Sequence, residues 1–272
     1  MPGQHVEAVG ADIRAHVAAQ LAEKAATHGV RILFAVESGS RAWGFGSPDS
    51  DYDVRFVYAH PSDWYVSLHE LRDVIEAPLD EQLVDLAGWD VRKALRLLLR
   101  GNPALYEWLV SPITYTEDGP FRAQAKALFE RHASAKVLAH HYWSIARSQL
   151  RAEIESQAEP RLKKYFYVVR PLLSLQWVVA NGGPPPMQLA ALLDGVAMPA
   201  DVRGHVDKLL AAKRNTPELG RGPHIGVVDE WARDILERFD PARLTLDAGE
   251  PHDTRRLADE LYRRTIGFGG KG

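Results

Sequence analysis

Two aspartates, Asp51 and Asp53, are separated by one tyrosine at the start of the apolar segment DVRFVYA, which predicts a β-strand. Side chains two residues apart on a strand point to the same face, so the two carboxylates lie side by side. Burying both without a counter-charge would cost several kcal/mol. The fold must therefore leave them solvated at a strand edge or place a cation beside them, and carboxylate oxygens suit Mg²⁺ or Mn²⁺.

A turn precedes this strand by about ten residues. The segment VRILFAV predicts a buried strand, and it is followed by Gly39, Ser40 and the short helical stretch SRAWG. Gly39 would let a phosphate approach the backbone, and Ser40 adds a hydroxyl and an amide at the start of a helix. Strand, phosphate turn, short helix, loop and metal strand are together predicted to form one site.

Composition excludes several other classes of function. The chain has 272 residues, no cysteine and a net charge of −3, so disulfides, thiolate zinc sites and cysteine nucleophiles are excluded. Nothing in the overall charge attracts nucleic acid or an anionic membrane, and a polyanion would have to be bound locally. No apolar stretch reaches the roughly 20 residues of a membrane span or resembles a signal peptide, so we expect a cytoplasmic protein with no membrane partner.

The pattern along the chain predicts two parts. Apolar residues at helical spacing predict a helix over residues 11–28 that ends at Gly29, and the strands described above follow it. Asp90 is typical of an N-cap before the helix VRKALRLLLR. From about residue 119 the pattern is helical almost throughout. The sequence thus predicts an α+β fold, with a mixed sheet flanked by helices in residues 1–118 and a helical bundle in residues 119–272.

The spacing Gly39-Ser40, ten residues, Asp51-Tyr52-Asp53-Val54 resembles the signature of the DNA polymerase β-like nucleotidyltransferase superfamily. The longer string ESGSRAWGFGSPDSDYDVRFVY, with DWY at 63–65 and DVRKALRLLLRGNPALYEWL after it, is similar to predicted nucleotidyltransferases of the RNA-ligase-associated RNA repair group. The resemblance implies that residues 1–118 form a nucleotidyltransferase palm. It also implies that residues 119–272 close the nucleotide cleft.

The resemblance also implies a reaction. An acceptor hydroxyl would attack the α-phosphate of a nucleoside triphosphate in line, and pyrophosphate would leave, at a site with two Mg²⁺ (or Mn²⁺) ions. Asp51 and Asp53 would bind both metals. The RNA repair group favours an RNA 3′ end as acceptor, whereas a protein hydroxyl or a small molecule is the alternative. The intact aspartates argue against an inactive nucleotide- or RNA-binding module.

A third carboxylate is expected on a neighbouring strand, where the candidates are Glu76, Asp80, Asp85 and Asp90. Asp85 lies within the apolar run LVDLA, where a charge is costly unless it has a role, whereas helix capping accounts for Asp90. We predict Asp85 as the third ligand, and the resemblance implies that it holds the metal that activates the incoming hydroxyl.

Basic residues supply candidate phosphate ligands, each with a structural alternative. Arg41 would hold a phosphate or pair with Asp49 or Glu37, and Lys93 would reach the active cleft from the helix after Asp85 or belong to a solvated charged face.

In the helical half, Lys163, Lys164 and Arg170 would bind the triphosphate or a nucleic-acid backbone, or else cover the edge of a core with their aliphatic stems.

Three further residues are interpreted as structural. Trp43 and Phe45 are predicted to pack and brace the loop before Asp51 rather than to stack on a base. Arg55 is expected on the sheet face opposite Asp53, where it would form a structural ion pair.

Overall fold

A computed structural model describes residues 9–215, 219–246 and 253–268 of the chain. The described residues form two compact units. The first contains those within Met1–Ala42, Asp51–His132 and Glu250–Gly272, and the second contains those within Trp43–Ser50 and Ala133–Gly249. These bounds differ from the predicted division after residue 118.

The helices account for most of the described chain. In order they are α1 (Ala11–His28), α2 (Gly39–Ala42), α3 (Val91–Leu99), α4 (Pro103–Val110), α5 (Phe121–His132), α6 (Ala135–Gln149), α7 (Lys164–Asn181), α8 (Leu189–Gly195), α9 (Ala200–Asn215), α10 (Gly226–Arg238) and α11 (Thr254–Thr265). A 3₁₀ turn covers Ser62–Val66, and a π-helix over Leu150–Glu155 continues α6. Within the described residues, every helix is too short or too polar to span a lipid bilayer.

The first unit is built on one mixed sheet, which confirms the predicted α+β class. Its strands are β1 (Arg31–Glu37), β2 (Tyr52–Ala59), β3 (Val74–Ala77), β4 (Val84–Asp90) and β5 (Thr114–Glu117). The strand order is β3-β4-β2-β1-β5, with β2 and β4 parallel and the other neighbours antiparallel. The sequence pattern does not predict strand β5, because its four residues, TYTE, carry no apolar run.

Period-two alternation gives the two faces of β2 different roles. Val54, Phe56 and Tyr58 pack into a core with Val17 and Leu21 of α1. The alternate residues, beginning with Asp53, therefore point to the other face of the sheet.

Local capping explains where several helices begin and end. Gly29 adopts a left-handed conformation with φ 61° and ends α1 as predicted. Asp90 accepts a hydrogen bond from the Arg92 N–H at 2.8 Å, which confirms it as the N-cap of α3.

Helices α5 and α11 explain why the first unit extends beyond residue 118. Both belong to the unit that contains the sheet, and α11 packs on α5 and α3. The predicted boundary followed the change to helical periodicity, whereas the unit is defined by which helices pack against the sheet or against the helices that cover it.

The loop 43–50 belongs to the second unit and packs there through aromatic rings. The Phe45 ring stacks on Phe166 at a centroid distance of 4.8 Å, and Trp43 meets Tyr167 edge-on at 5.6 Å. Phe45 is almost wholly buried. These contacts confirm the interpretation of Trp43 and Phe45 as packing residues.

His224 joins two segments of the second unit. Its Nδ1 lies 2.8 Å from an Asp229 carboxylate oxygen, and its Nε2 lies 2.9 Å from the Gln157 carbonyl. Both neighbours only accept hydrogen bonds, so both contacts are hydrogen bonds only when the ring is protonated on both nitrogens, as an imidazolium. The hydrogen bond to Asp229 raises the pKa of His224, with a further contribution from the Gln157 carbonyl.

This geometry predicts a stability that depends on pH. A raised histidine pKa contributes stability below the unfolded value of about 6.5, and the contribution is lost as pH rises through the folded value. The melting temperature of the wild type should exceed that of His224→Gln most at about pH 6 and least at about pH 8. Thermal unfolding followed by circular dichroism measures both. His140→Gln, at an exposed histidine of α6, is the matched control, and a difference that grows with pH would refute the imidazolium.

Candidate active site

Asp53 and Asp85 are neighbours across two parallel strands. Asp53 of β2 pairs in register with Asp85 of β4. Residues opposite each other in adjacent strands share a face, so the two side chains point the same way. The structure thus brings together two of the three predicted metal ligands.

Asp90 lies at the other end of β4. Its wholly buried side chain accepts hydrogen bonds from the N–H of Arg92 and from the Tyr65 hydroxyl at 2.7 Å. Burial is the main cause of its raised pKa. Capping and the tyrosine contact account for Asp90 without a catalytic role.

Arg55 supplies the counter-charge between the paired aspartates. Its Nη2 donates to Asp53 Oδ1 at 2.9 Å and to Asp85 Oδ2 at 2.7 Å. Its Nη1 donates to the backbone carbonyl of Asp85 at 2.9 Å. The expectation that Arg55 lies on the opposite face is wrong, because residues 53 and 55 are two apart and share a face.

The carboxylates influence one another. Burial raises the pKa of Asp53; Arg55 opposes this effect, and the charges of Asp85 and Asp51 add to it. Asp51 itself is exposed and lies just before β2. In the part of the chain that the structure describes, no three histidine, aspartate or glutamate side chains are grouped closely enough to hold a metal ion.

The turn at Gly39 lies directly against Asp53. Gly39 has a φ of 58°, and a Cβ placed on it would be 1.9 Å from Asp53 Oδ2. The Ser38 N–H also donates to the Asp53 carbonyl at 2.8 Å. The predicted phosphate turn and the charged strand are therefore in contact. Only glycine fits there, because a side chain would meet the carboxylate and strain the backbone.

The next two residues of the turn, Ser40 and Arg41, are largely buried. The Arg41 guanidinium lies 4.0 Å from the centre of the Tyr52 ring. Its charge lowers the pKa of both Glu37 and Asp53. Arg41 thus lies within electrostatic reach of Glu37 and Asp53, and its binding of a phosphate stays a prediction.

Glu37 supports the site, a role that the sequence reasoning does not assign to it. Its Oε1 accepts a hydrogen bond from the Asp53 N–H at 2.8 Å, and the Tyr115 hydroxyl donates to its other oxygen. Burial, the largest effect, raises the pKa of Glu37 to about 7. The sequence signal that could have indicated this role is a charged residue at the end of an apolar strand, two residues before Gly39.

Lys93 is not brought to the paired aspartates. It lies on α3, beyond the end of β4, and forms an ion pair with Asp73 at 2.9 Å. Asp90 lies five residue steps along the strand from Asp85, or about 16 Å at the usual rise of about 3.3 Å per residue. Lys93 is therefore held in a partly buried ion pair rather than on a solvated face, and its binding of a phosphate stays a prediction.

The basic residues of the second unit have contacts within that unit. Lys164 pairs with Glu153 at 3.0 Å, and Lys163 occupies the N-cap position of α7. The buried Arg170 donates from Nε and Nη2 to the Met187 carbonyl at 3.1 and 2.9 Å. Their binding to phosphates stays a prediction, and for Arg170 a packing role is the better supported.

The contact between Gly39 and Asp53 predicts an asymmetric effect of two alanine substitutions. Gly44 also has a positive φ, of 85°, but a Cβ placed on it would have nothing within 4 Å. Gly44→Ala should lower the free energy of unfolding by about 1 kcal/mol, and Gly39→Ala by about 2–4 kcal/mol because overpacking is added. Urea unfolding measures both. Equal losses would show that the turn does not press on Asp53.

Comparison with known proteins agrees with this geometry. Residues 13–264 match the family RlaP, described as the RNA repair pathway DNA polymerase beta family. The uncharacterized protein YcgL of Bacillus subtilis (strain 168) is 39% identical over 240 residues, which cover 88% of this chain and 91% of that protein.

A solved structure, that of a nucleotidyltransferase-like protein from Exiguobacterium sibiricum 255-15, aligns with 95% of this chain and 77% of its own at 14% identity. Its TM-score is 0.31, so this likeness adds nothing to the assignment. The family match covers nearly the whole chain and includes Gly39, Asp53 and Asp85. The chain belongs to the RNA repair pathway DNA polymerase beta family and is a polymerase β-like nucleotidyltransferase.

Proposed function

We propose that this protein is a metal-dependent enzyme that transfers a nucleoside monophosphate from a nucleoside triphosphate to an RNA 3′ hydroxyl. The observation that carries the proposal is the pairing of Asp53 with Asp85 across parallel strands, with the Gly39 turn against Asp53. Two carboxylates beside a glycine turn suit metal ions and the phosphates that they bind. The RNA repair description of the family supports RNA as the acceptor.

The donor set fits a divalent cation. Asp53 and Asp85 each have a carboxylate oxygen within 3 Å of Arg55 Nη2, so a positive charge is already accommodated between them. Their hard oxygens suit Mg²⁺ or Mn²⁺, and the exposed Asp51 would complete the ligand set once Arg55 withdraws. Two bound ions would neutralise phosphate charge and lower the pKa of the attacking hydroxyl.

The remaining residues of the site would position the reactants. The backbone of Gly39 and Ser40 would approach the triphosphate, and the nearby charge of Arg41 would favour its binding. Glu37 holds the backbone N–H of Asp53 and so fixes the strand that carries the ligands. The acceptor oxygen would then form a bond to the α-phosphorus as the bond to the leaving pyrophosphate breaks.

A protein hydroxyl or a small molecule is the second candidate acceptor. The chain's net charge of −3 and its lack of a long basic tract favour this alternative. The chemistry at the two aspartates would be unchanged, so the acceptor has to be identified by where the label goes.

The proposal predicts transfer of a labelled nucleotide to RNA. With Mn²⁺ or Mg²⁺, each α-labelled nucleoside triphosphate would be incubated with single-stranded RNA, with tRNA and with no acceptor. Label should move to an RNA 3′ end, and Asp53→Asn and Asp85→Asn should each lower the rate by at least about a hundredfold. Denaturing gels measure the product.

Glu76→Gln is the matched control, because Glu76 is a carboxylate on the neighbouring strand β3 with an exposed side chain paired to Arg72. It should retain the wild-type rate. Label on the protein alone would favour the second acceptor. Nucleotide binding with no transfer under any metal would contradict the catalytic proposal and favour a binding module.

A further inference from the structure

A small polar pocket in the second unit concentrates positive charge. Its volume is about 220 Å³, and the residues that line it are Glu153, Gln157, Arg161, Lys164 and Arg221. All five are polar, and none is aromatic or apolar. The pocket therefore offers no aromatic side chain on which a nucleobase could stack.

The backbone forces two of these arginines to face each other. Arg161 and Arg221 form an antiparallel β-bridge, flanked by hydrogen bonds from Leu162 N–H to the Gly220 carbonyl at 3.0 Å and from Gly222 N–H to the Pro160 carbonyl at 3.2 Å. Directly opposed residues have Cβ atoms about 4.5–5.5 Å apart on one face, and like charges in these positions destabilise a bridge. The fold thus sets two positively charged side chains opposite each other, and both line the pocket.

The positive charge of the pocket is only partly balanced. Glu153 is the one carboxylate among the lining residues, and it is 3.0 Å from Lys164 Nζ. Arg221 Nη1 donates to the Glu159 carbonyl at 2.9 Å, which is a neutral acceptor. Within residues 9–215, 219–246 and 253–268, neither Arg161 nor Arg221 has a carboxylate at ion-pair distance.

A second arginine-rich groove in the same unit shows the contrast. It is lined by Trp143, Arg233 and Arg243 among others. There Arg233 pairs with Glu155 at 2.8 Å and Arg243 with Asp240 at 3.7 Å. These two arginines are each paired with a carboxylate, whereas in the described part of the chain Arg161 and Arg221 are not.

The walls of the polar pocket are held in place by the second unit. His224 Nε2 is hydrogen-bonded to the Gln157 carbonyl, and His224 Nδ1 is hydrogen-bonded to the buried Asp229. The π-helix Leu150–Glu155 contributes Glu153 and ends just before Gln157, and such segments occur often at functional sites. Hydrogen bonds within the second unit therefore hold the segments that line this pocket.

We propose that Arg161, Arg221 and Lys164 form a phosphate-binding site that takes a backbone or terminal phosphate of the RNA acceptor. The choice of RNA rests on the proposed function, whereas the phosphate chemistry rests on the pocket alone. Arginine forks bind phosphate oxygens through paired charge-assisted hydrogen bonds, and a bound phosphate would remove the repulsion between Arg161 and Arg221. The triphosphate of a nucleotide offers the same chemistry, and the experiment separates the two sources.

Binding of a fluorescent, 5′-phosphorylated single-stranded RNA would be followed by anisotropy in EDTA, where no metal-dependent site contributes. Arg161→Gln combined with Arg221→Gln should weaken binding about tenfold at low salt, irrespective of base sequence. The slope of log affinity against log salt should fall by about 0.7, since the site is proposed to take one phosphate and each phosphate contact to a single strand contributes about 0.7. Arg238→Gln, at an exposed arginine of α10 paired with Asp234, should leave affinity and slope unchanged.

The same proteins would be tested with labelled ATP and with inorganic phosphate. We expect ATP to bind equally well to the wild type and to the double variant Arg161→Gln/Arg221→Gln. Inorganic phosphate should raise the melting temperature of the wild type and leave that of the double variant unchanged. Without ligand, the double variant should melt no lower than the wild type, because a repulsion has been removed.

Unchanged RNA affinity in the double variant, or a loss confined to ATP, would overturn the proposal. Asp53→Asn should bind RNA normally in EDTA. Failure of nucleotide transfer together with normal, Arg161- and Arg221-dependent RNA binding would therefore count against the proposed reaction and not against this site.

Discussion

The parallel pairing of β2 and β4 is the constraint on which the site depends. It sets Asp53 opposite Asp85 on one face, and a positive charge between them relieves the repulsion that results. Arg55 supplies that charge from the same strand, at 2.9 and 2.7 Å from the two carboxylates. A shift of one residue in the register would separate the aspartates to opposite faces and leave Arg55 without Asp85.

The surroundings of β2 are adapted to this pair. Gly39 leaves room for the Asp53 carboxylate where any side chain would collide with it, and the wholly buried Glu37 accepts the Asp53 N–H. The strand that carries the charge is therefore held by its neighbours through the backbone. In the proposed metal-dependent transfer, a cation would take the place of Arg55 between the carboxylates of Asp53 and Asp85.

Local rules predicted a large part of the site. The two-residue repeat of a strand predicted that Asp51 and Asp53 share a face. The charge within the apolar run LVDLA predicted Asp85 as the third ligand. Contacts between distant segments could not be predicted in this way. Glu37 accepts the Asp53 N–H only because β1 lies beside β2 in the sheet. Lys93 forms an ion pair with Asp73, which does not lie on the same helix. Likewise, α11 returns to the first unit from the far end of the chain.

Mn²⁺ binding tests the central claim, the pairing of Asp53 with Asp85 as metal ligands, most directly. The electron paramagnetic resonance signal of free Mn²⁺ would be titrated with the wild type, Asp85→Asn and Asp90→Asn, since asparagine keeps the shape of each side chain and can still cap α3. We expect Asp85→Asn to weaken Mn²⁺ binding at least about tenfold and Asp90→Asn to leave it unchanged. Binding that is lost in Asp90→Asn and retained in Asp85→Asn would contradict the account.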